Sequence, residues 1–271
     1  MLGALLHSTW VRPGLDLADP ELSLGPTFHL GVAGQVAKRR SSVPEQSHVT
    51  DGRSPDRQSG GFGGWDIAAE RSTADNISRV ADRIWTGGDL PSHLGDVAML
   101  ADLAAIQAAG ITHILDNRIE CSDERFVRIH APKIDYFWNG QDDAGQSMPD
   151  EWFFDGVDFA LEALLDPNAQ ILTHCHMGIN RGPSMAFAIL LATGMEPVEA
   201  LDAIRSARPI AAISYAHDAL DWWHRMTETP ASIAKRQRAE VATWHRRNPI
   251  DVVRIIRTIR SHEDNGRPLS A

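Results

Sequence analysis

Cys175 and Arg181 bracket five residues, His176, Met177, Gly178, Ile179 and Asn180. A cysteine is a nucleophile as its thiolate, and a thiolate persists where positive charge is fixed around it. The run Ile171-Leu172-Thr173-His174 ahead of Cys175 reads as a buried strand. The apolar run Met185 to Ala192 behind it reads as a helix. A tight loop between a strand end and a helix start can turn its backbone N–H groups inward as an anion nest, and the helix N-terminus adds positive partial charge. Arg181 would close that ring with a planar fork matched to two phosphate oxygens. A thiolate, a cradle for the equatorial oxygens and a fixed cation together suit phosphoryl transfer. His176, Met177, Gly178, Ile179 and Asn180 are then the phosphate loop, with N–H groups facing the anion and side chains turned away.

The pattern His174-Cys175-x5-Arg181, with Gly178 three residues after the cysteine, resembles the signature of the protein tyrosine phosphatase superfamily. The domain around it, roughly residues 76–226, is similar to the dual-specificity branch. The resemblance implies a phosphocysteine intermediate, no metal and no cofactor. It implies a phosphorylated protein, on tyrosine or on serine and threonine, or a small phosphomonoester as substrate. It also implies a general acid on a loop upstream of the cysteine. Asp143 is the favoured candidate and Asp142 the alternative. His174 is expected just behind the site, holding the cysteine loop. None of the loop positions is Lys or Arg, which disfavours polyphosphorylated lipids. One position departs from the pattern. The family carries Ser or Thr directly after the arginine, where this chain has Gly182; Ser184 is the nearest hydroxyl beyond it. That hydroxyl helps expel the thiolate, so a slow or inactive phosphate-binding pseudophosphatase stands as the alternative to an active enzyme.

The net charge of −10 is unevenly spread. Residues 73–228 hold 24 acidic and 10 basic side chains, whereas residues 229–271 hold 9 basic and 4 acidic. An acidic catalytic region argues against nucleic acid as a partner. Two cysteines, Cys121 and Cys175, make no disulfide framework, and with thiolate chemistry they point to a reducing cytoplasm. Cys121 is also a candidate partner for reversible oxidation of Cys175. No run approaches the length of a membrane span, so stable membrane association is not expected. Histidine spacing suggests no metal site.

The expected architecture is α/β: a central mixed, mostly parallel sheet flanked by helices. Three regions are expected: a disordered N-terminal extension over 1–74, a catalytic domain over 75–228 and a basic helical extension over 229–271. Within the domain, strands are expected at 83–88, 111–116, 126–130 and 169–173, and a polar loop at 139–146. Helices are expected at 97–109, 148–165 with Ser147 as N-cap, 183–193, 197–207 and 214–226. In the last region Val252, Val253, Ile255, Ile256 and Ile259 form an apolar cluster. That cluster could dock on the domain, pair with a second copy or meet an anionic surface.

Overall fold

The computed structural model describes residues 76–265; the disorder expected over 1–74 lies outside them. Five strands form one sheet: β1 (Ile77–Ala81), β2 (Ile84–Gly87), β3 (His113–Arg118), β4 (Asp135–Gln141) and β5 (Ile171–His174). Their spatial order is β1-β2-β5-β3-β4. The β1–β2 pair is antiparallel and every other pair is parallel. Eight α-helices surround the sheet among the described residues: α1 (Asp96–Ala108), α2 (Glu124–His130), α3 (Asp150–Ala163), α4 (Arg181–Ala192), α5 (Pro197–Ala207), α6 (Ala216–Met226), α7 (Ala231–Arg247) and α8 (Val252–Asn265). The α/β class expected from the sequence is therefore the class observed.

Side chains alternate across a strand, so neighbouring residues serve opposite faces. Ile114 and Leu172 join Met99, Leu103, Ile106 and Val127 beneath α1 and α2. Their neighbours Leu115 and Ile171 join Phe153, Val157, Phe187 and Leu190 beneath α3 and α4 on the other face. Helix α4 is the central post. Gly182 to Leu191 are buried without interruption, so it has no solvent face. Each large apolar side chain closed into this core contributes roughly 1.5–3 kcal/mol of burial. Pro197 starts α5 at a position whose N–H needs no partner.

Three expectations need correction. Residues 124–130 form α2, not a strand. Asp123 and Glu124 precede a short segment that buries only Val127, and so brief an apolar alternation does not separate helix from strand. The expected loop from residue 139 is partly β4, which holds Asn139 and Gly140 by its parallel pairing with β3 despite their poor strand propensity. Ser147 does not cap α3, which begins at Asp150 behind Pro149. Its hydroxyl instead donates to Asp218 Oδ1 at 3.1 Å.

The C-terminal segment is two helices, and both pack on the domain. Val241 and Trp244 of α7 belong to the cluster that holds α3 and α4. Trp244 Nε1 donates to Asp202 Oδ1 at 2.6 Å, and the Arg205 guanidinium lies 5.0 Å from the Trp244 ring centre. Ile255 and Ile259 of α8 share a separate cluster with Met177, Ile179, Ile210 and Ala212. Docking is thus the use of this segment that the fold displays.

Candidate active site

The parallel strands β2 and β5 end level with one another, and β3 runs two residues further, to Arg118. Gly87, His174 and Asp116 are register partners across the three. Open α/β sheets present their ligand-binding crevice at this carboxyl edge. Cys175 is the first residue past β5 and is 3 % exposed. Its amide donates to Gly87 O at 3.3 Å, and Asn117 Nδ2 donates to His174 O at 2.9 Å. Both bonds fix the peptide that delivers the thiol.

The carbonyls of the four residues after Cys175 are each engaged from outside the loop. Asp89 N donates to His176 O at 3.1 Å, and Ala212 N to Ile179 O at 2.7 Å. Arg208 donates through Nη2 to Met177 O at 3.0 Å and through Nε to Gly178 O at 2.6 Å. A tight turn with its carbonyls held outward presents its N–H groups inward, the arrangement of an anion nest. Gly178 is required here on two counts. Its φ is +65°, and an added Cβ would lie 2.4 Å from Arg208 Nη2 and 2.5 Å from the Gly87 carbonyl carbon. Met177 and Ile179 bury their side chains toward α8, away from the loop's interior, while His176 stays half-exposed. The His176 ring meets Asp89 Oδ2 at 2.7 Å.

Arg181 opens α4 and is 3 % exposed. Its two terminal nitrogens grip Glu120 with two bonds of 2.8 Å, and Nη1 also donates to Gln141 O at 2.8 Å. Burial disfavours its charge. The Glu120 bond, the Cys175 charge and Asp143 more than offset that and raise its pKa. Glu120 is correspondingly held below the usual carboxylate range by Arg181. The Nε of Arg181 is buried without a hydrogen-bond partner, with Asp143 Oδ2 standing 3.6 Å off. A buried cation edge left open in this way is the complement of a phosphate oxygen.

Asp143, not Asp142, reaches the loop. Its Oδ1 accepts from Asn180 Nδ2 at 2.7 Å and from the Tyr215 hydroxyl at 2.7 Å. Asp142 stays outside and accepts the Asp143 amide at 2.8 Å. Ser184 lies below the loop, fully buried, and its hydroxyl accepts the Tyr215 amide at 3.3 Å. Gly182 packs on the strand end, where an added Cβ would sit 3.0 Å from the His174 carbonyl carbon and 3.1 Å from Cys175 N.

His174 is buried behind the cysteine. Burial lowers its pKa against the opposing pull of Asp116. Its Nε2 stands 3.7 Å from Asp116 Oδ1, and Nδ1 has no hydrogen-bond partner. The loop is therefore held through the His174 carbonyl rather than through its ring.

Beneath it lies a group that the sequence reading passed over. Arg118, 1 % exposed, forks onto Asp116 with two bonds of 2.8 Å and reaches Asp123 at 2.7 Å and Asp89 at 3.0 Å. Tyr136 donates to Asp116 Oδ2 at 2.5 Å. Burial works to raise the Asp116 carboxyl; His174, Arg118 and Tyr136 together bring it below its ordinary value. The available signal was Asp116-Asn117-Arg118, a charged run at the carboxyl end of an apolar strand. Glu120, Arg208 and Tyr215 were also passed over, because nothing local marks them. Cys121 is exposed, and partial burial followed by its acidic neighbours raises its pKa, which favours the unreactive thiol. No cluster of metal-ligating side chains occurs among the described residues, and no helix among them is long and apolar enough to cross a membrane.

No family model matches the chain. Over 142 residues it is 28 % identical to mouse dual specificity protein phosphatase 26, covering 51 % of this chain and 64 % of that one. The human protein of the same name matches with the same identity and coverage. The chain thus spans somewhat less than two thirds of these curated relatives. Among solved structures, PTPMT1 in complex with PI(5)P superposes with a TM-score of 0.48 at 16 % identity, over 57 % of this chain and 98 % of that one. Human DUSP28 superposes with a TM-score of 0.45 at 15 % identity, over 56 % and 95 %.

Proposed function

We propose that this chain, similar in sequence to dual specificity protein phosphatases, is a cysteine phosphatase that hydrolyses phosphomonoesters, most favourably those on proteins. The observation that carries the reading is the open, buried Nε of Arg181 beside a loop whose four carbonyls are tied outward around Cys175. A phosphoryl group seated there meets inward N–H groups, a fixed cation and a sulfur. The Cys175 thiolate attacks phosphorus, a P–S bond forms, and the P–O bond to the leaving group breaks. Asp143 supplies the proton that the departing oxygen needs. In the second step Asp143 takes a proton from water, water attacks phosphorus, and the P–S bond returns its electrons to Cys175. Arg181 and the loop N–H groups carry the phosphoryl charge throughout, a role that asks for no metal.

Ser184 favours a second reading. Gly182 supplies no hydroxyl directly after the arginine, and the Ser184 oxygen, two residues on and below the loop, is engaged as acceptor of the Tyr215 amide. Slow breakdown of the phosphoenzyme, and at the limit phosphate capture without turnover, follows from that arrangement.

The test is burst and steady-state kinetics with an aryl phosphate in the presence of a chelator, for the wild type beside Cys175→Ser. Sustained, chelator-resistant turnover that vanishes in the variant supports the enzyme. A single stoichiometric burst supports the phosphate-capturing reading. Turnover retained in Cys175→Ser would overturn both.

A further inference from the structure

The acid segment is anchored on helix α6 at two separate points. Tyr215, the residue ahead of that helix, donates its hydroxyl to Asp143 Oδ1 at 2.7 Å and accepts Gly145 N at 3.3 Å. Asp218, one turn along, accepts the Ser147 hydroxyl at 3.1 Å and Met148 N at 3.0 Å. Tyr215 is itself rigid. It is 4 % exposed, its ring stands edge-on to Trp152 at 6.5 Å, and its amide is tied to Ser184. Asn180 completes the arrangement, giving Nδ2 to the same Asp143 oxygen while its Oδ1 accepts Ser214 N at 2.7 Å.

We propose that Tyr215 is a positioning residue for the acid, and that with Asn180 it decides which oxygen of Asp143 handles the proton. This rests on the phosphatase reading above. Oδ1 accepts two donors at 2.7 Å and is poorly placed to carry a proton as well. Oδ2 is left to carry it, and Oδ2 is the oxygen on the Arg181 side, 3.6 Å from Nε. The proton therefore sits on the side where the phosphoryl group and its leaving oxygen would lie. Burial and the Asp143 carboxylate both raise the Tyr215 phenol, so its hydroxyl stays a donor across the working pH range. The segment thus occupies its working position without help from a substrate. A phenylalanine here would pack equally well and hold nothing.

The experiment compares wild type, Tyr215→Phe, Asp143→Ala and the double variant on an activated aryl phosphate and on a phosphate ester with a poor leaving group. For the poor leaving group, kcat should fall roughly tenfold or more in Tyr215→Phe, since an acid contributes about 10²–10⁴-fold. KM should hold, and the activated ester should be turned over nearly as before. In the Asp143→Ala background, Tyr215→Phe should add nothing, because it acts through that carboxylate. Equal losses on both esters, no loss on either, or an additive loss in the double variant would each overturn the inference while leaving the phosphatase intact. A wild type with no turnover would sink the phosphatase reading and this one with it. Hydrogen exchange at the Gly145 amide is a check that needs no variant: protection is expected, and free exchange would overturn the latch.

Discussion

At the scale of single residues, Gly182 has two consequences that pull against each other. It removes a hydroxyl, and it lets helix α4 start in close contact with the strand end. A Cβ at 3.0 Å from backbone atoms forces a shift of a few tenths of an ångström in the peptide that carries Cys175. Gly182→Ala should therefore cost about 1–2 kcal/mol of stability, read as a lower thermal midpoint, and should slow both chemical steps. Gly182→Ser carries the same crowding plus a hydroxyl, so its effect on phosphoenzyme breakdown is measured against the alanine variant. Faster breakdown in Ser than in Ala is expected; identical rates would show that the hydroxyl contributes nothing here. The thiol, the loop and the arginine were legible in the sequence because a seven-residue spacing encodes them directly. Arg208 was not, since its partners Met177 and Gly178 lie far along the chain, and only the closed fold brings the guanidinium to their carbonyls. The distance upstream narrowed the acid to Asp142 or Asp143, and the contacts that bring Asp143 to the loop, from Asn180 and Tyr215, come from far along the chain.

At the scale of elements, the long buried helices were readable from apolar period and stop signals. The shorter elements were decided by partners. Residues 124–130 and 135–141 carry little local bias, and β4 exists because β3 offers it a ladder. Helix α8 illustrates the same dependence in reverse. Its isoleucines were visible as a cluster, but nothing in their spacing identified Met177 and Ile179 of the loop after Cys175 as the surface they cover. Because that surface is the outside of the loop, loosening α8 should be felt at the site. Replacing Ile255 and Ile259 together by alanine should speed hydrogen exchange across residues 176–180 and lower kcat/KM several-fold. An unchanged exchange pattern in the loop would show that the helix is passive cover.

At the scale of the whole molecule, two histidines make stability depend on pH. Burial lowers the His174 pKa, and burial together with His217 and Arg205 pushes His245 down to about 4. In the unfolded chain both return to the ordinary value of about 6.5. Between about 6.5 and 4 the unfolded chain binds more protons than the native one, so stability falls as pH falls through that window. Asp116 and Glu120, both held low, add their losses only further down, below the ordinary carboxylate range. The thermal midpoint should decline steadily from pH 7 to 4.5. His245→Gln should flatten part of that decline, on the order of 1 kcal/mol after allowance for its partial exposure. A midpoint independent of pH over that range would contradict the assignment of both rings. The rung shared by β2, β5 and β3 near their carboxyl ends has a further consequence, for where a chain of this kind can change length. Gly87, His174 and Asp116 occupy one rung, and a slip of a single residue in any of the three strands would reverse which face every following side chain serves. Insertions and deletions are thereby barred from the strands and from the crowded edge that carries the thiol. At the opposite edge Gly110 and Leu165 to Asn168 are open to water, and a residue gained or lost there leaves the rung untouched. The molecule can drift in length at one rim of its sheet while the other stays fixed to the residue.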